Sequence, residues 1–207
     1  MVPMGGRYFV AVRPPQETLD ELERSVEPRR EADARLAWVA PDQWHITTLF
    51  VADLEERSFD PLVEGLADLA ARTQPFDVIC GGPGTFPNPF QARLLYLAVP
   101  EGEREFTALS RTCRGLANHA GAEPDGSRFV PHLSLARTRS PFDVTKWLHV
   151  VQGFGNFPWR ATELELIESH LGQGPGGTAR HVLVERFPFG APVEEAAPDS
   201  SRPRRAY

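Results

Sequence analysis

Apolar positions along this chain fall into strand-like runs alternating with helix-like stripes. Tyr8-Phe9-Val10-Ala11-Val12 is a run of β-formers with the pattern of a buried central strand. Past Pro14-Pro15, residues Leu19, Leu22 and Val26 recur at i, i+3 and i+7, which predicts a helix that Pro28 ends. The charged stretch from Arg29 to Arg35 reads as a solvated connector, and Leu36-Ala37-Trp38-Val39 as a short strand before Pro41. Trp44 to Phe50 is extended again. Asp60-Pro61 predicts the N-cap and first turn of a second helix, with Leu62, Val63, Leu66, Leu69 and Ala70 as its stripe. Phe76 to Cys80 and Arg93 to Val99 are the next strands, divided by Gly81 to Pro87, a tight-turn region. A third helix from Glu103 carries Phe106, Leu109, Cys113, Leu116 and Ala117 on one face and stops at Gly121. A strand after Pro131 follows, then a helix bearing Val144, Trp147, Leu148 and Val151. Leu164 to Ile167 and His181 to Val184 are late strands joined across Gly172 to Gly177. The order is roughly β-α-β-β-α-β twice over, which predicts an α+β protein with antiparallel pairing. Residues 191–207 are polar and Pro-rich and are expected to form a disordered tail, leaving residues 1–190 as one domain.

Composition narrows the classes. At 207 residues, 41% hydrophobic and 24% charged, the chain reads as an ordinary soluble globular protein of one domain or two small lobes. It shows no membrane-length apolar run and no signal peptide, so a cytoplasmic setting is expected. Cys80 and Cys113 are too few for a disulfide framework and form no C-x-x-C pattern; Cys113 falls within an apolar stripe. A net charge of −6 argues against extended duplex binding, which needs many cations to neutralise phosphates. A small site gripping one or two phosphates remains compatible with it.

Two stretches carry the candidate chemistry because they echo each other. In Trp44-His45-Ile46-Thr47-Thr48-Leu49-Phe50 and in Phe129-Val130-Pro131-His132-Leu133-Ser134-Leu135-Ala136-Arg137, a histidine precedes a hydroxyl residue by two positions. Strand side chains alternate faces, so His45 and Thr47 share one face, with Ile46, Thr48 and Phe50 on the other. His132 and Ser134 share a face likewise, Leu133 and Leu135 turn to the core, and Arg137 is expected to be turned by the strand end. A single histidine on a strand is most often structural; two, each beside a hydroxyl donor, make an acid/base pair around a phosphate. One neutral and one protonated imidazole can deprotonate a water on one side of phosphorus and protonate a leaving oxygen on the other. The remaining histidines, His119, His149, His170 and His181, read as surface or loop residues. Arg93 and Arg128 are lesser candidates for gripping an anionic end, and Phe86 and Trp44 for stacking a base, although core packing accounts for both aromatics.

At these residues the sequence resembles the 2H phosphoesterase superfamily, and within it the RNA 2′,3′-cyclic phosphodiesterases once called 2′–5′ RNA ligases. The resemblance runs from about Arg7 to Gly190. It includes Gly84-Thr85-Phe86-Pro87 with Ala92-Arg93, the Phe129-x-Pro131-His132 lead-in and Ser169-x-Leu171. It implies a two-lobed α+β fold, antiparallel sheets with outer helices around a central cleft and one motif per lobe. It further implies His45 as acid and His132 as base, and Thr47, Ser134 and Arg137 as phosphate holders. No cofactor and no metal are implied. RNA ends with a 2′,3′-cyclic phosphate are the expected partner, with no membrane involved and a monomer as the acting form. Ser134 stands where threonine is commoner, Thr48 where an aliphatic residue is usual, and Ala52 where glycine often follows; none removes a reacting group. Two competing readings are a non-catalytic binder of RNA ends and a different reaction of the superfamily, such as 2′–5′ cleavage, cyclic-nucleotide cleavage or ligation.

Overall fold

The computed structural model describes residues 5–190; the expected tail at 191–207 lies outside the described residues. The chain is α+β, built on two four-stranded sheets and a two-stranded ribbon. Strand β1 (Gly6–Val12) is an inner member of the first sheet. Residues Val10 and Val12 turn to the main core while Phe9 and Ala11 turn to the opposite face, the alternation that its unbroken apolar run conceals. Helix α1 (Gln16–Val26) follows Pro15 and buries Leu19, Leu22 and Val26 as its spacing predicts. Short β2 (Leu36–Trp38) precedes β3 (Ile46–Leu54), the first motif strand.

Helix α2 spans Glu56–Arg72, so it starts earlier than Asp60, and Pro61 lies inside it rather than at its first turn. The buried stripe explains the difference: Ser58, Leu62, Leu66 and Ala70 recur every four residues, extending the packed face one turn before the proline. After β4 (Phe76–Gly81), the presumed turn region contains a strand, β5 (Pro83–Phe86). It lies at a sheet edge, where a leading proline is tolerated because no partner needs its missing N–H. Strand β6 (Ala92–Ala98) leads to α3 (Glu103–His119), which buries Phe106, Leu109, Cys113 and Ala117. Each fully buried Phe or Leu contributes roughly 1.5–3 kcal/mol. Gly121 follows with φ of 82°, the left-handed value that favours glycine at a helix stop.

The second motif strand, β7, is long (His132–Phe142); α4 (Thr145–Gln152) comes next. Strand β8 (Asn156–Ala161) has no counterpart in the sequence expectations, because Pro158 interrupts its pattern; it buries alternate residues Phe157, Trp159 and Ala161 and, among the described residues, pairs only with β4. Strands β9 (Glu163–His170) and β10 (Arg180–Pro188) close the chain.

Sheet order is β10-β9-β1-β3 and β2-β7-β6-β5, so each motif strand sits in its own sheet. The sheets are not made from consecutive halves of the chain: β2 joins the second motif strand, while β9 and β10 return to β1. Helices α2 and α3 pack on each other and against β9, β10 and β3, and α4 packs against β5. The main core lies under these helices. A smaller cluster of Phe9, Ala11 and Ile167, with Phe50 against it, lies on the other face of the first sheet. That face holds the site.

Candidate active site

Both motif strands carry a bulge at the same distance from their histidine. On β3, Val10 pairs with Leu49 and Ala11 with Thr47, leaving Thr48 as the extra residue. On β7, Leu95 pairs with Ala136 and Tyr96 with Ser134, leaving Leu135 extra. A bulge resets the two-residue alternation beyond it. Thr48 and Leu49 are consecutively buried, as are Leu135 and Ala136. Phe50 therefore returns to the face of His45, against Phe9, instead of the opposite face its numbering predicts. Arg137 likewise returns to the face of His132 and Ser134. The strand runs on to Phe142, so the bulge, not a strand end, turns this arginine.

The histidine rings are held alike. The Nδ1 of His45 donates to the carbonyl of Gln43 at 2.7 Å, and the Nδ1 of His132 to that of Val130 at 2.8 Å. A carbonyl can only accept, so each neutral ring keeps its proton on Nδ1 and leaves Nε2 bare as an acceptor. His45 stacks on Phe9, with ring centroids 4.8 Å apart. His132 stands edge-on to Phe86 at 5.2 Å and beside Tyr96 at 5.1 Å. Gly84 makes room for the tyrosine: a Cβ there would come within 2.2 Å of its ring.

Electrostatics hold both rings neutral in the free protein. Burial pushes His45 down to about 3, helped by the charges of His181, Arg13 and His132 and opposed by the Gln43 carbonyl. His132 is lowered by burial and by the Arg137 guanidinium, with the Val130 carbonyl opposing. These charges link the two sheets: His132 acts on His45, and Arg137 acts on both His132 and His181.

Thr47 and His132 line one cavity of about 380 Å³, together with Phe50, Phe86, Arg128 and Phe129. Ser134 lies on β7 opposite Tyr96, partly buried on the face of His132. Thr48 takes no place on that face: its hydroxyl donates to the Val10 carbonyl at 3.2 Å inside the core. Trp44 is fully buried and serves packing, whereas Phe86 is cavity wall. Arg93 is exposed and is not among the residues lining that cavity. Both cysteine thiols are buried and pushed up to about 12, inert at neutral pH. Among the described residues, no three His, Cys, Asp or Glu side chains come together as a metal site, and no helix is long and apolar enough to cross a membrane.

His181 corrects the sequence reading. The strand expected from His181 onward is present as β10, but His181 is no mere surface residue of it: its ring meets His45 at 5.7 Å and Phe9 at 4.9 Å. Only pairing across the first sheet brings the two histidines together, and no local motif marks it. The neutral form of His181 is also favoured, by burial and then by Arg13, with Asp42 opposing and Arg137 adding to the effect.

The model of the 2′-5′ RNA ligase superfamily matches residues 12–173. The RNA 2′,3′-cyclic phosphodiesterase of Methanothermobacter thermautotrophicus is 28% identical over 168 residues, spanning 80% of this chain and 90% of the relative. The enzyme of the same name from Aquifex aeolicus is 30% identical over 115 residues, 54% of this chain and 61% of the relative. Among solved structures, TT0787 of Thermus thermophilus superposes with a TM-score of 0.72 at 22% identity, covering 89% of this chain and 98% of that one. E. coli LigT complexed with 3′-AMP gives 0.67 at 21%, with 89% and 98% covered. At these identities the structural likeness establishes the fold.

Proposed function

This chain belongs to the 2′-5′ RNA ligase superfamily, and from that premise we propose that it hydrolyses the 2′,3′-cyclic phosphate of RNA ends to a 2′-phosphomonoester, without a metal ion. One observation carries the reading: a matched pair of histidines on separate sheets, each with Nδ1 tied to its own main chain, with Thr47 beside the first lining the same cavity as the second. The names of the Methanothermobacter and Aquifex relatives support the substrate class.

In this reading the anionic cyclic phosphate sits between the two Nε2 atoms. His132 accepts a proton from water as the water oxygen bonds to phosphorus. The P–O3′ bond breaks on the opposite side, and His45 gives its proton to O3′. His45 is neutral in the free protein, so it takes up that proton as the anion arrives beside it; an adjacent negative charge favours the imidazolium. The hydroxyls of Thr47 and Ser134 and the guanidinium of Arg137 hold the non-bridging oxygens as charge develops on them. The acting unit is the bilobal domain of residues 1–190, a cytoplasmic monomer with one motif per lobe.

The test is product identity. Purified protein is given an RNA oligomer ending in a 2′,3′-cyclic phosphate, a cyclic mononucleotide and a 2′–5′-linked oligomer, and the products are assigned by mass and phosphorus NMR. A 2′-phosphate from the cyclic end is expected. A 3′-phosphate, or turnover of the 2′–5′ oligomer alone, would sink the reading.

A further inference from the structure

We propose a second phosphate subsite beside His45, on its β9–β10 side, that takes the phosphate on the 5′ side of the terminal nucleoside. The inference rests on the function proposed above and adds where the RNA strand lies.

The floor of the subsite is the His45 face of the first sheet. Arg13 continues the alternation of Phe9 and Ala11; Ala11 pairs with Glu165, Phe9 with Ile167, and Ile167 with Leu183. Over this face lies a cavity of about 410 Å³ whose lining includes Arg13, Arg180, His181, Arg186 and the polar Gln43. That is within the size range of small-ligand sites. It adjoins His45 directly, through the ring of His181 at 5.7 Å and the Gln43 carbonyl that accepts from His45.

Its cations are held in place. The carboxylate of Glu165, a residue only 3% exposed, accepts from Nε of Arg13 at 3.3 Å and from Nε of Arg186 at 3.2 Å. Nη1 of Arg13 donates to the Asp42 carbonyl, and Arg186 also reaches the more exposed Glu163 at 3.4 Å. One guanidinium would be enough to neutralise a buried carboxylate. Here two converge on it, one from just past β1 and one from β10, and Arg180 stands by with one side-chain hydrogen bond among the described residues, to Gln173 at 3.4 Å. Three guanidinium groups thus face the carboxylates of Glu165 and Asp42 in one cavity, within a chain of net charge −6.

His181 adds a neutral donor. Its Nδ1 is buried and has no hydrogen-bond partner among the described residues. A proton there would be stranded, so the neutral ring carries it on Nε2, where it can meet an anion. A phosphate at this place lies one sugar away from a cyclic phosphate bound between His45 and His132. The ribose then falls on the His45 side, which puts the leaving O3′ next to His45 and water next to His132.

The test compares adenosine 2′,3′-cyclic phosphate with a free 5′-hydroxyl against the same nucleotide carrying a 5′-phosphate. Wild type, Arg180→Gln and Arg186→Gln are assayed, with thermal melts to confirm folding. The 5′-phosphate should raise wild-type kcat/KM about 10–100-fold, the range of charge-assisted hydrogen bonds. In each variant that preference should fall by roughly tenfold, the scale of one such bond lost. Turnover of both substrates at equal kcat/KM by wild type, or a preference that persists undiminished in both variants, overturns the subsite while leaving the proposed reaction standing. Turnover of neither substrate overturns the reaction and the subsite with it.

Discussion

Thr47 and Thr48 are neighbours in sequence, and the same substitution should have opposite consequences at each. The bulge at Thr48 turns that side chain into the core, where its hydroxyl donates to the Val10 carbonyl at 3.2 Å and the residue is 2% exposed. Thr47 stays on the cavity face with His132, and its hydroxyl has no hydrogen-bond partner among the described residues. Valine is nearly isosteric with threonine but cannot donate. Thr48→Val therefore loses that buried hydrogen bond and a weaker contact with Cys113 Sγ at 3.9 Å, together about 0.5–1.5 kcal/mol net. For a chain of this size that is a fall in Tm of roughly 1–6 °C, at about 2–4 °C per kcal/mol. Its kcat/KM should stay within about threefold of wild type, because nothing facing the substrate changes. Thr47→Val breaks no bond in the free protein, so its Tm should hold. It should instead lose the stabilisation of a preorganised donor, about 2–4 kcal/mol, or roughly 30- to 10³-fold in kcat. The assay is initial-rate hydrolysis of a 2′,3′-cyclic nucleotide beside a thermal melt for each variant. A fully active Thr47→Val, or a well-folded Thr48→Val as impaired as Thr47→Val, would refute the assignment of faces.

Three further expectations follow from the same geometry. Arg137→Gln should fold normally and lower kcat/KM by about 10- to 10²-fold, as for loss of a charge-assisted hydrogen bond; steady-state kinetics beside a melt checks it, and wild-type kinetics would remove Arg137 from the site. Both histidines are pushed below their ordinary value in the free protein, so the window in which one is neutral and the other protonated lies below about pH 6.5. The bell of kcat/KM, which reports the free enzyme, should peak there, and that of kcat should peak higher because the bound anion favours the imidazolium; a kcat/KM maximum at pH 7 or above would contradict this. Turnover should survive EDTA, and activity that vanishes and returns with one divalent ion would show that the two-histidine scheme is incomplete.

The sequence carried more of the chemistry than of its placement. The two H-x-[ST] motifs were legible because strand alternation links i and i+2 regardless of what surrounds them. What lay beyond the hydroxyl was not, because a bulge depends on how the partner strand pairs and leaves no local mark. For that one reason Phe50 was placed on the wrong face and the turn of Arg137 was credited to a strand end. Helices with unbroken stripes, such as Phe106 to Ala117, were predicted nearly to the residue, whereas prolines misled in two places. Pro61 suggested a helix start and Pro83 a turn, while packing overrode the first and edge position the second; the strand around Pro158 had no counterpart in the expectations. His181 shows the deepest limit: its meeting with His45 depends on β10 returning to the first sheet, a long-range pairing that no spacing records.

The most direct test of the central claim is a double-mutant cycle on His45 and His132. If the two rings act as one proton-transfer unit, His45→Ala and His132→Ala should each cost on the order of 10²–10⁴-fold in rate. The double variant should then lose far less than the product of the two, since the second removal finds little left to disable. All three proteins should melt as wild type does, apart from small shifts. Either single variant, folded and hydrolysing cyclic-phosphate RNA at near wild-type rate, would contradict the account; so would losses that multiply in full.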